Sequence, residues 1–347
     1  MTGEPFGTTR DGRPVRRHRL LNASGTRVSV LDYGGAITEI MVPDRAGTRA
    51  NVVVGLPDVA AMEALGFANV LVGRHANRLR GGVTIDGRHF PLDADANGVT
   101  LHGGGRPWGA RTWTVAQDRA DALRLSLVSP DGDQGFPGRV QVTVDYRLGG
   151  DDTLTLDYRA TTDAPTVVAL TSHLWFNLGG SGSGSVDAHH LLIAADAYTP
   201  VDQLLIPTGE LRPVAGTPFD FRTGAAIGAG VRADDPQLRI ARGYDHNFVL
   251  REGRGTVPRP AARLHDPGSG RTLDIATTEP GLQLYSGNGL DGGIVTAGGR
   301  TLRQGDTVVI ETQAFPNTPN VPAFGPSVLR PGETWRSTTR YRFGVGD

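Results

Sequence analysis

Two ionisable side chains in this sequence interrupt apolar, strand-like runs, where a group that titrates could do acid and base chemistry. Glu311 directly continues Val308 to Ile310 and precedes a segment rich in proline and asparagine, which predicts a carboxylate at the end of a core strand. His173 is the one ionisable residue of the run VVALTSHLWFNL. Burial raises the pKa of a carboxyl group, and imidazole titrates near neutral pH. The pair could therefore transfer protons; a salt bridge from Glu311 to an arginine and a satisfied core histidine are the structural alternatives.

Two further polar residues lie beside predicted strands. His102 ends a short strand-like run in GVTLHGGG, and the three glycines after it would let a ligand approach the backbone. A turn histidine with local hydrogen bonds is the alternative. Asp245 in GYDHNF precedes a strand, where an aspartate can also form an Asx turn. Both residues are candidate ligand-binding groups.

Metal-ligand patterns are weak in this sequence. His189 and His190 are adjacent, so on a strand their side chains point to opposite faces and cannot bind one ion together. Three histidines brought together from distant strands are the remaining alternative. We expect no metal and no cofactor.

The composition excludes several kinds of chemistry. The 347 residues include no lysine, which excludes a Walker-type phosphate loop and Schiff-base catalysis. They include no cysteine, which excludes disulfides, thiolate nucleophiles and cysteine-based zinc sites. The glycines of GGSGSGS at 179–185 do not fit the dinucleotide pattern G-x-G-x-x-G. With a net charge of −1, we expect no nucleic acid partner.

The sequence also indicates where the protein works. It has no uninterrupted stretch of about 18 apolar residues, and its basic first segment lacks the apolar region of a signal peptide. We therefore expect a soluble, cytoplasmic protein with no membrane partner.

Period-two alternation of apolar residues predicts the elements that must position these groups. It recurs in RTWTVAQ at 111, ALRLSLVS at 122, RVQVTVDYRL at 139 and DTLTLDYRA at 152. Turn-forming segments such as LGGDD at 148 separate these strands. The pattern predicts an all-β fold, a large antiparallel β-sandwich with very little helix.

Two segments stand apart from the strand pattern. LPDVAAMEALG at 56–66 is predicted to be a helix, with Pro57 in the first turn and Gly66 at the C-terminal cap. GGSGSGS at 179–185 is either a flexible linker or a surface hairpin loop, because strand-like sequence flanks it closely.

Over nearly its whole length the sequence resembles the aldose 1-epimerase (galactose mutarotase) family. The motifs, in family order, are VGRHANRLRGG at 72, TLHGG at 100, SPDGDQGFPG at 129, TSHLWFNLGG at 171, IPTGELRPVAGTPFDFR at 206, GYDHNF at 243, GLQLYSGN at 281 and ETQAFPNTPN at 311. They span the glycine-serine stretch. The resemblance therefore implies one domain over residues 1–347 with the supersandwich fold of galactose mutarotase.

The resemblance also implies roles for individual residues. His173 matches the general acid and Glu311 the general base, with His102 expected to orient or polarise the ring oxygen. The matching sugar-binding positions are Asn77, Arg78, His102, Asp245 and Gln283.

Two stretches of the chain depart from the family pattern. The family often has tyrosine where His75 stands, and His-Ser-Tyr-Phe-Asn-Leu where this chain has HLWFNL from His173. Trp175 keeps an aromatic ring and loses a hydroxyl. We expect Trp175 or Phe176 to stack on the sugar and the other to belong to the core.

The function implied by the resemblance is interconversion of the α and β anomers of a free aldose such as galactose or glucose, by a monomer or a homodimer that needs no cofactor. One alternative is a glycoside hydrolase that uses Asp245 and Glu311 as its two carboxylates. Another is a carbohydrate-binding or sugar-sensing protein without turnover. Within the epimerases, a hexose 6-phosphate is the alternative substrate.

Overall fold

The computed structural model describes residues 3–346, which form β-strands that pair antiparallel and a few short helices. In chain order the strands are β1 (Glu4–Thr8), β2 (Pro14–Leu21), β3 (Arg27–Leu31), β4 (Ile37–Pro43), β5 (Arg49–Asn51), β6 (Leu71–Val72), β7 (Arg78–Arg80), β8 (Val83–Ile85), β9 (Arg88–Phe90), β10 (Val99–Leu101), β11 (Thr114–Arg119), β12 (Ala122–Ser129), β13 (Val140–Leu148), β14 (Thr153–Thr162), β15 (Thr166–Val167), β16 (Thr171–Ser172), β17 (Trp175–Phe176), β18 (His190–Ile193), β19 (Ala195–Thr199), β20 (Arg212–Pro213), β21 (Ala225–Ala226), β22 (Asp245–Leu250), β23 (Arg259–His265), β24 (Arg271–Thr277), β25 (Gly281–Tyr285), β26 (Asp291–Val295), β27 (Thr301–Arg303), β28 (Val308–Gln313), β29 (Val328–Leu329) and β30 (Trp335–Val345).

The helices are short. They are α1 (Val59–Leu65), α2 (Ile227–Gly230) and α3 (Pro236–Ala241), with 3₁₀ turns at Trp108–Ala110, Asp133–Gly135, Thr318–Asn320 and Pro322–Phe324. None of the described helices is long and apolar enough to cross a membrane.

Three sheets make up most of the fold. A nine-stranded sheet has the order β11-β12-β13-β14-β30-β24-β23-β18-β21, a six-stranded sheet the order β17-β28-β25-β22-β19-β20, and a five-stranded sheet runs β1 to β5 in sequence. The C-terminal strand β30 lies between β14 and β24, so distant parts of the chain share one sheet. The predicted all-β antiparallel fold with very little helix is confirmed.

The strand predictions hold closely, whereas the two irregular segments differ in detail. The glycine-serine stretch lies in a loop from β17 of the six-stranded sheet to β18 of the nine-stranded sheet, so the hairpin interpretation is wrong. Within the loop, Ser183 donates to the side-chain oxygen of Asn177 at 2.9 Å.

Pro57 was predicted to lie in the first turn of helix α1, but the helix begins two residues later, at Val59. Asp58 is the N-terminal cap and accepts a hydrogen bond from the amide of Ala61 at 2.8 Å, so Pro57 precedes the cap. Gly66 is the C-terminal cap as predicted, with φ 80° and its amide donating to Met62 at 2.9 Å.

The pleat of the six-stranded sheet separates core residues from the polar ones. Ile310 of β28 and Leu284 of β25 pack in the main hydrophobic core, together with Val144 of the nine-stranded sheet. Because side chains alternate along a strand, Glu311 and Gln283 lie on the opposite face. Cross-strand pairing of Gln283 with Glu311 and with Asn247 sets these polar positions side by side.

Glu311 was predicted at the end of its strand, and this is wrong. Strand β28 continues to Gln313, and β25 pairs with it along Val309 to Gln313. Glu311 therefore lies inside a strand, where the ladder restrains its backbone, and the proline-containing turn begins only after Gln313.

Candidate active site

A cavity of about 250 Å³ opens on this polar face of the six-stranded sheet. Its volume is at the small end for ligand sites, which suits a ligand of monosaccharide size. It collects most of the predicted residues from distant parts of the chain. Its lining comprises Leu65, Phe67, Asn77, Arg78, Leu101, His102, His173, Trp175, Asp245, Tyr285, Gly289, Leu290 and Glu311.

Glu311 is a buried carboxyl group with no arginine beside it to form an ion pair, among the residues that the structure describes. Only 2% of the residue is exposed, and its Oε1 lies 3.8 Å from Nε2 of His173. Its Oε2 has no hydrogen-bond partner in the described part of the chain. Burial raises the pKa of Glu311 to about 8, with a further rise from Asp245 and an opposing effect of Arg78. The salt-bridge alternative is therefore wrong, and the group is a strong base once ionised.

His173 lies between β16 and β17 and faces Glu311. Burial lowers the pKa of His173 to about 4, so the imidazole is neutral near pH 7. Its Nδ1 accepts a hydrogen bond from the indole nitrogen of Trp175 at 2.8 Å. A neutral ring whose Nδ1 accepts carries its proton on Nε2, the atom that faces Glu311. His173 thus presents an N–H donor to the cavity.

His102 is held at the cavity wall by reciprocal hydrogen bonds with Asn77. The amide of His102 donates to the carbonyl of Asn77 at 2.9 Å, and the amide of Asn77 donates to Nδ1 of His102 at 3.1 Å. Both residues have positive φ, 52° for His102 and 59° for Asn77. Burial lowers the pKa of His102 well below its usual value, helped by His173 and Arg78. Its ring centroid lies 5.0 Å from that of His173.

The glycines after His102 serve a contact within the chain. A Cβ on Gly103, which has φ 101°, would lie 2.1 Å from the carbonyl oxygen of Gly73. Gly103 therefore allows the turn after His102 to approach the backbone of the segment that carries Asn77 and Arg78. At Gly103 the geometry favours this close approach within the chain over the predicted approach of a ligand.

Asp245, Arg78 and Gln283 form a hydrogen-bonded group at the cavity. Oδ1 of Asp245 accepts from Nε2 of Gln283 at 2.6 Å, and Oδ2 accepts from a guanidinium nitrogen of Arg78 at 3.2 Å. Asp245 is the first residue of β22, but its carboxylate reaches across the sheet instead of closing a local Asx turn. Gln283 supports this group without lining the cavity itself.

His102, His173 and Glu311 are close enough to be considered as metal ligands, since one candidate ligand atom from each lies within 4.8 Å of the others. The hydrogen bonds do not suit a metal. A metal-bound histidine donates its second N–H to an acceptor, whereas Nδ1 of both rings here accepts from an N–H donor. The Nε2 atoms therefore carry protons, and the trio fits proton chemistry better than metal binding.

The two aromatic residues that were predicted as candidates to stack on the sugar, Trp175 and Phe176, have different surroundings. Trp175 lines the cavity, whereas Phe176 is fully buried in the main core. His75 does not line the cavity, and its Nδ1 donates to the carbonyl of Ala76 at 2.8 Å. Sequence reasoning missed Phe67, whose ring lies 4.7 Å from that of His102, and no pattern in its loop could have found it. Tyr285 was also missed, although its position two residues after Gln283 on β25 places both on one face.

Asn69 is a third missed residue, and its role is a supporting one. Its Oδ1 accepts from the backbone amide of Trp175 at 2.9 Å, and its backbone amide donates to the carbonyl of His173 at 2.9 Å. Its side-chain nitrogen donates to Val54 at 2.6 Å. Asn69 therefore ties the chain around His173 to the neighbouring structure.

A larger groove of about 880 Å³ lies on the nine-stranded sheet and shares no lining residue with the smaller cavity. Its lining includes Arg147, Arg263, Arg340 and Leu192 and none of the predicted site residues. The buried acid and base groups are at the smaller cavity, which we therefore take as the candidate active site.

Comparisons with known proteins agree with this geometry. The family model described as aldose 1-epimerase matches residues 16–342. Galactose mutarotase of Rattus norvegicus is 38% identical and aldose 1-epimerase of Escherichia coli 36% identical, each over 99% of both chains. Among solved structures, galactose 1-epimerase from Lactobacillus acidophilus superposes with a TM-score of 0.86 at 27% identity and covers 100% of both chains. A GalM/aldose epimerase homologue from C. elegans gives the same TM-score and identity over 96% of this chain and 100% of its own.

Proposed function

We propose, because this chain belongs to the aldose 1-epimerase family, that its cavity binds a free aldose and interconverts the α and β anomers. The protein is thus an isomerase. The observation that carries the proposal is the approach of Glu311 and His173, a raised-pKa carboxyl group and an N–H donor 3.8 Å apart in one small cavity. Ring opening needs such a base and such an acid on one sugar.

The proposed reaction begins with Glu311 as the base and His173 as the acid. Ionised Glu311 removes the proton of the anomeric hydroxyl, the O–H electron pair forms the C1=O bond, and the bond from C1 to the ring oxygen breaks. The ring oxygen takes the Nε2 proton of His173, which leaves an imidazolate, and Glu311 returns the proton that it removed to that nitrogen, so the carboxylate and the neutral imidazole are both restored. Rotation about C1–C2 and reclosure by the reverse steps give the other anomer.

His102 is proposed to help orient or polarise the ring oxygen. Its ring stands beside His173 at 5.0 Å between centroids, and its Nδ1 is already satisfied by the amide of Asn77. Its Nε2–H is therefore free to act as a donor to a sugar oxygen. Trp175, one of the aromatic rings at the wall, supplies an apolar surface for the sugar.

The sugar hydroxyls are proposed to bind Asp245, Arg78 and Asn77, with Gln283 holding Asp245 in place. Asp245 offers lone pairs and Arg78 offers N–H groups in fixed geometry, which replaces the hydrogen bonds that a sugar loses on leaving water. Arg78 is the one cation among the described lining residues, and it is paired with Asp245. This favours an unphosphorylated aldose such as galactose or glucose over a hexose 6-phosphate.

The alternatives fit less well. The relatives found by sequence are named galactose mutarotase and aldose 1-epimerase, which favours neither a glycoside hydrolase nor a sugar-binding protein without turnover. A hydrolase would need Asp245 as a reacting carboxylate, yet both of its oxygens accept hydrogen bonds from protein donors.

We further propose one domain, a cytoplasmic location and a monomer or homodimer. The main core supports the single domain, because it contains residues from Leu20 to Phe343. Size-exclusion chromatography with light scattering measures the oligomeric state, and limited proteolysis tests the single domain through the absence of a stable smaller fragment.

The proposed function is tested by the equilibration of fresh α-D-galactose and α-D-glucose, followed by polarimetry or by NMR exchange. We expect the protein to accelerate equilibration well above the uncatalysed rate for at least one sugar, and Glu311→Gln to lose this acceleration. No acceleration with either sugar would contradict the proposal. Release of reducing sugar from a glycoside would support the hydrolase instead.

A further inference from the structure

Trp175 contacts the candidate acid directly. Its indole Nε1–H donates to Nδ1 of His173 at 2.8 Å, and both residues are buried. Asn69 holds the backbone of both residues. Its Oδ1 accepts from the backbone amide of Trp175, and its backbone amide donates to the carbonyl of His173. The indole ring also lies against Tyr285, at 6.2 Å between centroids. The indole is therefore restrained by its hydrogen bond to His173 and its contact with Tyr285, while Asn69 holds the backbone that carries it.

An indole nitrogen can only donate a hydrogen bond. Nδ1 of His173 must then keep its lone pair, and a neutral ring must carry its proton on Nε2. The imidazolium ion needs a second proton on Nδ1, where it would face the indole N–H at 2.8 Å. This contact therefore opposes the cation as well as the other neutral tautomer.

We propose that Trp175 is a positioning residue that holds His173 in the neutral tautomer protonated at Nε2, so that His173 acts on the sugar as a neutral hydrogen-bond donor and never as imidazolium. The role in catalysis rests on the proposed function; the tautomer itself does not. A tyrosine at this position could accept as well as donate through its hydroxyl. The indole removes that freedom.

Several titratable and charged groups lie near His173 and affect its protonation. Glu311 lies 3.8 Å from Nε2, and the ring of His102 lies 5.0 Å away with its own Nδ1 occupied. Burial is the main cause of the lowered pKa of His173; Asp245 acts against it and Arg78 adds to it. The indole contact adds a geometric restraint to this electrostatic one.

A neutral imidazole can polarise a substrate oxygen in an active site. With His173 neutral throughout the working range, the only protonation change needed before ring opening is the ionisation of Glu311. The proton that His173 gives to the ring oxygen can be restored from Glu311, 3.8 Å away.

The test is a two-dimensional NMR spectrum of protein with ¹⁵N-labelled histidine, recorded from pH 4.5 to 8, with a His173→Gln spectrum to assign the signals. In the parent protein we expect a pyrrole-like shift for Nε2, a pyridine-like shift for Nδ1, and no titration above about pH 5. A proton on Nδ1, or a midpoint above pH 6, would overturn the proposal. The parent protein alone decides this part.

Trp175→Phe tests whether the indole N–H is what holds His173 in this tautomer. Without the indole N–H we expect a share of the Nδ1–H tautomer to appear and the pKa of His173 to rise by about one unit, the equivalent of roughly one net hydrogen bond. Trp175→Tyr keeps a group that can bond to Nδ1, so its spectrum is expected to lie between those of the parent and Trp175→Phe. A folded Trp175→Phe protein with an unchanged His173 spectrum would overturn the role of the indole.

Measurements of mutarotase turnover distinguish a failure of this proposal from a failure of the proposed function. For Trp175→Phe we expect kcat to fall more than KM changes, because the donor to the ring oxygen is then present in only part of the molecules. A parent protein without mutarotase activity would contradict the proposed function and leave the NMR result standing. Equal loss in Trp175→Phe and Trp175→Tyr, with an unchanged tautomer in both, would point to packing and overturn the positioning role.

Discussion

Oε1 of Glu311 and Nε2 of His173 lie 3.8 Å apart on one wall of the cavity. This distance is too long for a direct hydrogen bond, and it leaves room for a substrate oxygen to interact with both groups. The two atoms differ in chemistry, since the buried carboxyl group accepts a proton and the imidazole nitrogen carries one. A sugar whose anomeric centre faces these two atoms meets a base and a donor at once.

Glu311→Gln removes the base and keeps the size of the side chain. We expect kcat to fall by about 10²- to 10⁴-fold with a smaller change in KM, since general base catalysis contributes on that order. The measurement is polarimetry on the preferred aldose. Glu252→Gln is the matched control, because Glu252 is an exposed carboxylate that contacts only Arg259 among the described groups. A Glu311→Gln protein as fast as the parent would remove Glu311 from the base role.

The pH profile follows from the raised pKa of Glu311. Only ionised Glu311 is a base, so kcat/KM is expected to rise with pH through a midpoint of about 8 and to level off roughly one pH unit higher. His173, with a pKa of about 4, adds no further change above pH 5. Rates are measured from pH 5 to 10 after subtraction of the uncatalysed rate in each buffer. A profile that is flat between pH 6 and 9 would contradict this assignment.

The same pKa predicts a pH-dependent effect on stability. The carboxyl group of Glu311 titrates near 4.5 when unfolded and near 8 when folded. Between these values the folded state binds more protons, so the contribution of Glu311 is fully present below pH 4.5 and is lost as pH rises through 8. Glu311→Gln is therefore expected to gain stability relative to the parent as pH rises from 5 to 8.5, measured by urea unfolding. A difference that does not change with pH would argue against the buried, proton-retaining carboxyl group.

Asp245→Asn tests sugar binding apart from proton transfer. The change removes the charge that Arg78 and Gln283 contact and turns one acceptor into a donor. We expect KM to rise by roughly 10- to 100-fold, the equivalent of one charge-assisted hydrogen bond, with a smaller fall in kcat. Asp196→Asn is the control, since its ion pair with Arg251 lies on the surface. A fall in kcat as large as that of Glu311→Gln, at constant KM, would instead assign Asp245 to the chemistry.

Gly103→Ala tests the contact that supports His102. The added Cβ would lie 2.1 Å from the carbonyl oxygen of Gly73, so the turn after His102 must move. Gly98→Ala is the matched control, with φ 74° and no heavy atom within 4 Å of the added carbon. We expect Gly103→Ala to lower the free energy of unfolding by about 1–3 kcal/mol more than Gly98→Ala, and to lose activity as well. Equal effects of the two changes, measured by urea unfolding and polarimetry, would contradict this role of the close approach.

Local patterns in the sequence were enough to predict the fold class and the four strands from β11 to β14, although β11 begins at Thr114 and not at 111. Strand β12 spans Ala122–Ser129, the same residues as the alternating run ALRLSLVS, because alternation with period two is a property of each strand by itself. The absence of lysine and cysteine excluded whole classes of chemistry without any structure. The candidate acid and base were also found as ionisable residues inside apolar runs.

The relations between strands were decided only by the tertiary structure. Gln283 pairs with Glu311 on one side and with Asn247 on the other, and no local pattern specifies this register, which depends on packing of the whole sheet. For the same reason Glu311 was expected at the end of a strand and lies inside one. The hydrogen bond from Trp175 to His173 was likewise not predictable, because the sequence shows only that an aromatic residue lies two positions after His173. The direction of its N–H toward Nδ1 is set by Asn69 and the surrounding sheet.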